Sequence, residues 1–416
     1  MVGRLGAEAL GSIAMAGTIN GFFYVFSIGI LSSMGPIVSH AFGAVRPDEI
    51  GRAVRQGFRV AIVLSVFQIL MFQLGDVILR ALGQQEALIP VAHEYLQVIS
   101  WGIPAQVGFV CLRQYTEAIG DSLPSVIVVG IGALLNVILD PILIFGFLGF
   151  PRLEVAGAAY ATAILSWVMF FTMLFYVTVG RRYQAYGLWK GPWRTDWKMI
   201  GEILRIGVPA SGSMLSEMTF FGATTLIIGT MTASALASHQ IAINAASFLF
   251  MIPLGLSFAV SIRIGQTLGA GNRKGAEVVG TNGYILVLLL QSMSAVLFLF
   301  FPELIVRVYT NDLSLMDLAV SMLRIAGIFQ LVDGLQVVGI GILRGMKDTK
   351  VPFLASLFAF WLIGFPLSWY LSFHTTVGAK GCWWGMVVGL SLASALHYFR
   401  FRHLHCHSDL RITHHS

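Results

Sequence analysis

The chain has 416 residues, 56% of them hydrophobic and only 11% charged, with 45 glycines and a mean hydropathy of +0.80. Soluble domains carry about 25% charged residues, so a soluble globular protein is excluded; the long continuous apolar runs exclude a barrel of short alternating strands. The net charge of +6 does not point to nucleic acid, because the basic residues fall between apolar segments, as in a chain threaded through a lipid bilayer.

Eleven spanning segments are expected, at 9–42, 56–80, 90–119, 123–148, 156–180, 203–230, 234–265, 280–302, 318–343, 351–373 and 380–399. No charged leader with a small-residue cleavage site precedes the first, so no removable signal peptide is expected. Pro36, Pro104, Pro141, Pro209, Pro253 and Pro366 lie within or at the ends of these segments, and each removes a backbone donor, which predicts local bends. Cys111, Cys382 and Cys406 are too scattered for a disulfide framework or a zinc site.

In the third segment Gln106 is a polar residue at depth. In the fourth, LLNVILDPILIFG places Asn136 and Asp140 four apart, on one helix face. Asp140 with Pro141 equally marks a helix end near the outer surface. Thr162 on the next segment either completes a polar patch or bonds its own backbone. The basic, Trp-containing stretch 181–198 is expected to link an N-terminal lobe (1–180) to a C-terminal lobe (199–400).

Glu217 comes next, and across residues 206–262 it is the only formally charged side chain. A carboxylate at that depth costs about 2.5–3.5 kcal/mol on insertion scales, so it is expected to face a cavity or a partner. His239 and Gln240 either touch cargo or form a satisfied core pair. Phe248 and Met251, with Phe22, Phe250, Met214 and Met218, either line an adaptable apolar pocket or face lipid. Asp333 is the second deep acid, nine residues past Arg324 and eleven before Arg344, hence near mid-depth unless it merely caps a helix break. The tail 401–416 holds His403, His405, Cys406, His407, His414 and His415 in a spacing that matches no closed metal site, so a disordered tail without metal is expected. No Walker loop, nucleophile elbow, HExxH or dinucleotide fingerprint occurs in a suitable context, so nothing points to an enzyme.

Loop charges set the orientation. Arg46, Arg52, Arg55, Arg181, Arg182, Lys190, Arg194, Lys198, Arg263, Arg273, Lys274, Arg344, Lys347, Lys350, Arg400, Arg402 and Arg411 all fall on one set of alternate connections. The opposite set holds little beyond Arg4, Arg80, Arg152, Arg307 and Lys380. The first set, with the C-terminus, is therefore expected in the cytoplasm. A shift of about 226 positions lays GRLGAEALGSIAMA (3–16) on GTMTASALASHQIA (229–242) and pairs Gly43-Ala44 with Gly269-Ala270 and Gly157 with Gly381. The fold class expected is thus an all-α polytopic membrane protein of two parallel helical-bundle repeats, related by a pseudo-two-fold axis along the membrane normal. The helix carrying Glu217 precedes the second copy, and its counterpart would lie upstream of Met1. A truncated reading frame is the preferred explanation, loss of that helix the other.

Together MVGRLGAEALGSIAMA at the start, ASHQIAINAASFLFMIPLGLSFAVSIRIGQTLGAGN at 237–272 and QLVDGLQVVGIGILRGMKDTKVPF at 330–353 resemble the MATE (multidrug and toxic compound extrusion) transporters over nearly the whole chain. The resemblance implies two six-helix lobes, here five spans plus six, that open alternately and export organic cations against sodium or proton entry. Glu217 and Asp333 match the acids that bind the coupling cation in the NorM-like branch, and are the candidate Na+ ligands. Asn136 and Asp140, and less closely Thr162, match a proton network of the N-terminal lobe in other branches, whose first-helix acid this chain lacks. No cofactor is implied beyond the coupling ion, and a monomer in a bacterial plasma membrane is expected. The alternatives are a lipid-linked precursor flippase of the same superfamily, a channel, or an inactive truncated remnant. A flippase cargo is anionic and would want basic groups in the cavity.

Overall fold

The computed structural model describes residues 7–149, 151–188, 194–310 and 312–410. Among these every regular element is a helix. The chain divides into two compact units, Met1–Gly207 and Val208–Ser416.

The first unit contains α1 (Ala7–Leu31), α2 (Met34–Gly43), α3 (Pro47–Gln73), α4 (Gly75–Ala81), α5 (Ile89–Ser100), α6 (Ile103–Ala118), α7 (Leu123–Phe145), α8 (Glu154–Val179) and the single turn α9 (Arg181–Gln184). Helix α10 (Trp197–Gly229) leads out of it. The second unit holds α11 (Ala233–Gly269), α12 (Arg273–Phe300), α13 (Pro302–Tyr309), α14 (Leu313–Gly345), α15 (Lys350–Leu357), a π-helical stretch Phe358–Gly364, α16 (Phe365–Phe373) and α17 (Lys380–Leu410).

Nine described helices, some of them closely spaced pairs, are long and apolar enough to cross a membrane, and the pair α5–α6 makes a tenth, bent by 51°. The eleventh expected span, 203–230, is α10: its 33 residues suffice in length, but it is not among the spans that pass on apolarity. Glu217 shares that helix with a run of serines, threonines and glycines.

Three of the six prolines lie beside breaks between helices. Pro104 sits just past the α5–α6 bend, and Pro366 follows the π-helical stretch, where a missing N–H loosens the backbone ladder. Pro36 is the third residue of α2, just after Ser32 and Ser33, whose hydroxyls donate to the carbonyls of Gly29 and Ile30 at 2.7 Å each. Hydroxyls of this kind re-satisfy carbonyls that a broken helix leaves open in lipid. Pro141, Pro209 and Pro253 are accommodated inside α7, α10 and α11.

The 226-residue periodicity survives in the backbone. Helix α3 begins at Pro47 and α12 at Arg273; α8 begins at Glu154 and α17 at Lys380. Even a strained position repeats. Val45 has φ +55°, and Gly271, 226 positions on, has φ +77°. Gly157 and Gly381 are likewise paired close approaches: a Cβ on the first would strike the Leu143 carbonyl, and on the second the backbone of Leu371.

Each unit has its own core. In the first it runs through α1, α2, α3, α5, α6 and α8, and a cluster of Tyr115, Tyr183 and Tyr186 lies at its base, with ring centroids 5.7 and 6.1 Å from Tyr115. In the second, α11 packs along α14, with Gly341 and Gly345 set directly against Ser257 and Ser261. Small residues let helices approach closely where lipid offers no hydrophobic drive. Helix α17 continues through 401–410 as helix, over the first part of the expected tail; His414 and His415 lie outside the described residues, as do the side chains of His405, Cys406 and His407.

Candidate functional site

Helix α14 carries Gln330, Asp333 and Gln336 at successive three-residue steps, which places them along one side of the helix. Asp333 is 1% exposed. Gln336 Nε2 donates to Glu217 Oε2 of α10 at 3.3 Å. Through Gln336, one turn from Asp333 on α14, folding ties Glu217 of α10 to the stretch of α14 that carries the second deep acid.

The site has more acceptors than donors. Asp333 Oδ1, Gln336 Oε1 and Ser216 Oγ are buried with no hydrogen-bond partner. Among the described residues neither carboxylate is in an ion pair. Native structures leave few such groups unsatisfied, and an orphaned buried carboxylate oxygen is costly. Buried oxygens of Asp333 and Gln336 on α14 and of Ser216 on α10 are thus left open. No group of three or more His, Cys, Asp or Glu suited to a metal occurs among the described residues.

The surroundings hold it rigid. One turn back, Gln330 Nε2 donates to the Ala246 carbonyl at 2.9 Å, and Gln291 Nε2 of α12 donates to Gln330 Oε1 at 2.8 Å. Three residues past Glu217, the Phe220 ring stacks on Phe360 of the π-helical stretch, with centroids 5.2 Å apart and planes 3° from parallel. Further along α14, the buried Arg344 lies 4.5 Å from the Phe258 ring centroid and donates weakly to Ser257 and Ser261.

The remaining predicted residues are placed as follows. Asn136 Nδ2 donates to Asp140 Oδ1 at 3.3 Å, both partly buried on α7. The Thr162 hydroxyl donates to the Ala158 carbonyl of its own helix at 3.0 Å. Gln106 is partly buried at the start of α6. His239 is fully buried; its Nε2 lies 2.9 Å from Thr225 Oγ1, its Nδ1 has no partner, and its ring meets Trp383 edge-on at 5.7 Å. Gln240 is exposed, as are Phe248 and Met251.

Gln336 and the Gln291–Gln330 pair were not singled out from sequence. The signal was present in the three-residue spacing of Gln330, Asp333 and Gln336 on an otherwise apolar segment.

The family model described as MatE matches residues 1–142 and 209–370. A probable multidrug resistance protein NorM of Mesorhizobium japonicum is 33% identical over 403 residues, 95% of this chain and 86% of that protein. Multidrug resistance protein MdtK of Yersinia pseudotuberculosis is also 33% identical, over 97% and 90%. Among solved structures, a eukaryotic MATE transporter superposes with a TM-score of 0.83 at 23% identity, over 96% of this chain and 88% of its own. An outward-facing multidrug resistance MATE family transporter gives 0.87 at 20% identity, over 95% and 88%.

Proposed function

The chain belongs to the MatE family, whose similar members are named as multidrug resistance proteins and not enzymes, and from that membership we propose that it exports small organic cations across a bacterial plasma membrane in exchange for Na+ or H+. The observation that carries this reading is the pair Glu217 and Asp333. Two acids buried in apolar helices, with an unpartnered oxygen and no basic residue in an ion pair with either among the described residues, are costly unless a positive passenger visits them.

The mechanism is competition for that negative charge. An entering coupling cation or proton satisfies Asp333 Oδ1 and Glu217, and the organic cation loses its counter-charge and leaves. A departing cation restores the deficit. Alternating access follows when the ion-loaded and drug-loaded forms prefer different openings, since a ligand shifts a conformational equilibrium only by its differential affinity for the two states. Gln336 positions Glu217 through its amide. Acidic charge at the site favours cationic cargo over the anionic precursor of a flippase.

The test is efflux of ethidium from cells expressing Glu217→Gln. Loss of efflux with unchanged membrane expression is expected; wild-type efflux would remove Glu217 from the mechanism. Imposing sodium and pH gradients separately on proteoliposomes distinguishes the two coupling ions.

A further inference from the structure

On the side of the first unit that the loop charges assign to the cytoplasm, the start of α3, the α9 region and the lead into α10 enclose a cavity of about 870 Å3. Arg52, Arg55, Arg194 and Lys198 line it against Asp48 and Asp196. Asp196 is committed elsewhere: its Oδ1 accepts the backbone N–H of Lys198 and Met199 at 3.1 Å each and caps α10. Among the described residues none of the four basic side chains is in an ion pair.

Arg55 is 6% exposed. One of its terminal nitrogens donates to the carbonyls of Gly187 and Leu188 at 2.9 and 3.2 Å, while its buried Nε–H has no partner. Arg52 and Arg59 add like charge beside it, with Asp48 opposing. The walls are tied without using the Arg194 side chain, because its backbone carbonyl accepts from Gln56 Nε2 and from Arg59, both at 3.0 Å. Positive charge is thus gathered in a built cavity and left short of counter-charge. At the rim Trp197 is 77% exposed at the first residue of α10, the position of an interfacial aromatic.

We propose that this cavity binds a phosphate-bearing anion, either the headgroup of an anionic phospholipid in the adjoining leaflet or a soluble phosphate ester. Arginine forks match phosphate oxygens, and basic clusters at the membrane surface attract anionic lipid. A phosphate bound there links α3 to the segment entering α10, independently of the Glu217 site.

The experiment is native mass spectrometry of the purified full chain with dioleoyl phosphatidylglycerol, dioleoyl phosphatidylcholine or glycerol 3-phosphate. Wild type is compared with Arg52→Ala/Arg194→Ala and with Arg52→Gln alone, whose folding is checked by melting temperature. The expected result is one phosphatidylglycerol retained per chain at concentrations at least tenfold below those needed for phosphatidylcholine, with that preference lost in the double variant and weakened in the single one. One glycerol 3-phosphate per chain with the same arginine dependence, displacing phosphatidylglycerol, assigns the site to a soluble ester. Equal retention of both lipids together with no arginine-dependent glycerol 3-phosphate, or folded variants that bind as wild type does, overturns the proposal.

Discussion

Asp333→Asn separates the functional and structural meanings of the buried acid. The amide keeps the size and shape of the side chain but removes the charge. In the native site Asp333 is 1% exposed and its Oδ1 has no partner. An unsatisfied buried polar group costs about 1–3 kcal/mol, more when charged; the amide stays unpartnered, so only the excess borne by a charge is relieved and the variant should be more stable by about 1 kcal/mol. For a unit of this size that is a rise in melting temperature of roughly 2–4 °C per kcal/mol. Efflux should nevertheless be lost, because the stored cost is what a cation relieves; sites that gain stability while losing activity are expected where function requires an unfavourable arrangement. The assays are thermal unfolding in detergent and ethidium efflux from cells at matched expression. A variant that melts below wild type yet exports at the wild-type rate would refute the reasoning and make Asp333 a structural group.

Three further substitutions test the packing of the first unit. Gly157→Ala places a Cβ against the Leu143 carbonyl, and backbone cannot yield as a side chain can, so a loss of about 1–3 kcal/mol is expected in thermal unfolding. Val45→Gly removes a β-branched residue from a left-handed conformation; relief of strain less the added chain entropy gives a gain of about 1 kcal/mol, and a lower melting temperature would contradict it. Tyr183→Phe deletes a donor to Asp121 Oδ2 at 2.6 Å and should cost about 1.5 kcal/mol. Burial, then the bond to Asp121, push the Tyr183 phenol above its ordinary range, so the wild-type advantage should hold below about pH 10 and shrink above it, where the unfolded chain ionises first. Melting curves from pH 7 to 11 check the sign.

Much of the architecture was legible in one dimension. Apolar runs located the helices, and the repeat of about 226 residues reappears in the starts of α3 and α12 and of α8 and α17; the shared positive φ of Val45 and Gly271 was not read from sequence. The breaks were less legible: that α3 stops at Gln73 before the short α4, or that Phe358–Gly364 widens to a π-helix, depends on packing and not on composition. At the site, sequence placed Glu217 and Asp333 at depth and the family resemblance grouped them, but Gln336 was left unread. It left Thr162 open between a polar patch and its own backbone, and the hydroxyl bonds Ala158.

What the sequence determined by itself is what lipid as a solvent enforces residue by residue. Backbone polar groups must be satisfied within helices, and a charge in the apolar interval must have a use. What only the tertiary structure decided is which way each helix faces. A helix apolar on all sides gives no periodic cue to its partner, so nothing in one dimension could say that Gln336 reaches Glu217, that His239 turns into the Trp383 core, or that Arg52, Arg55 and Arg194 close around one cavity.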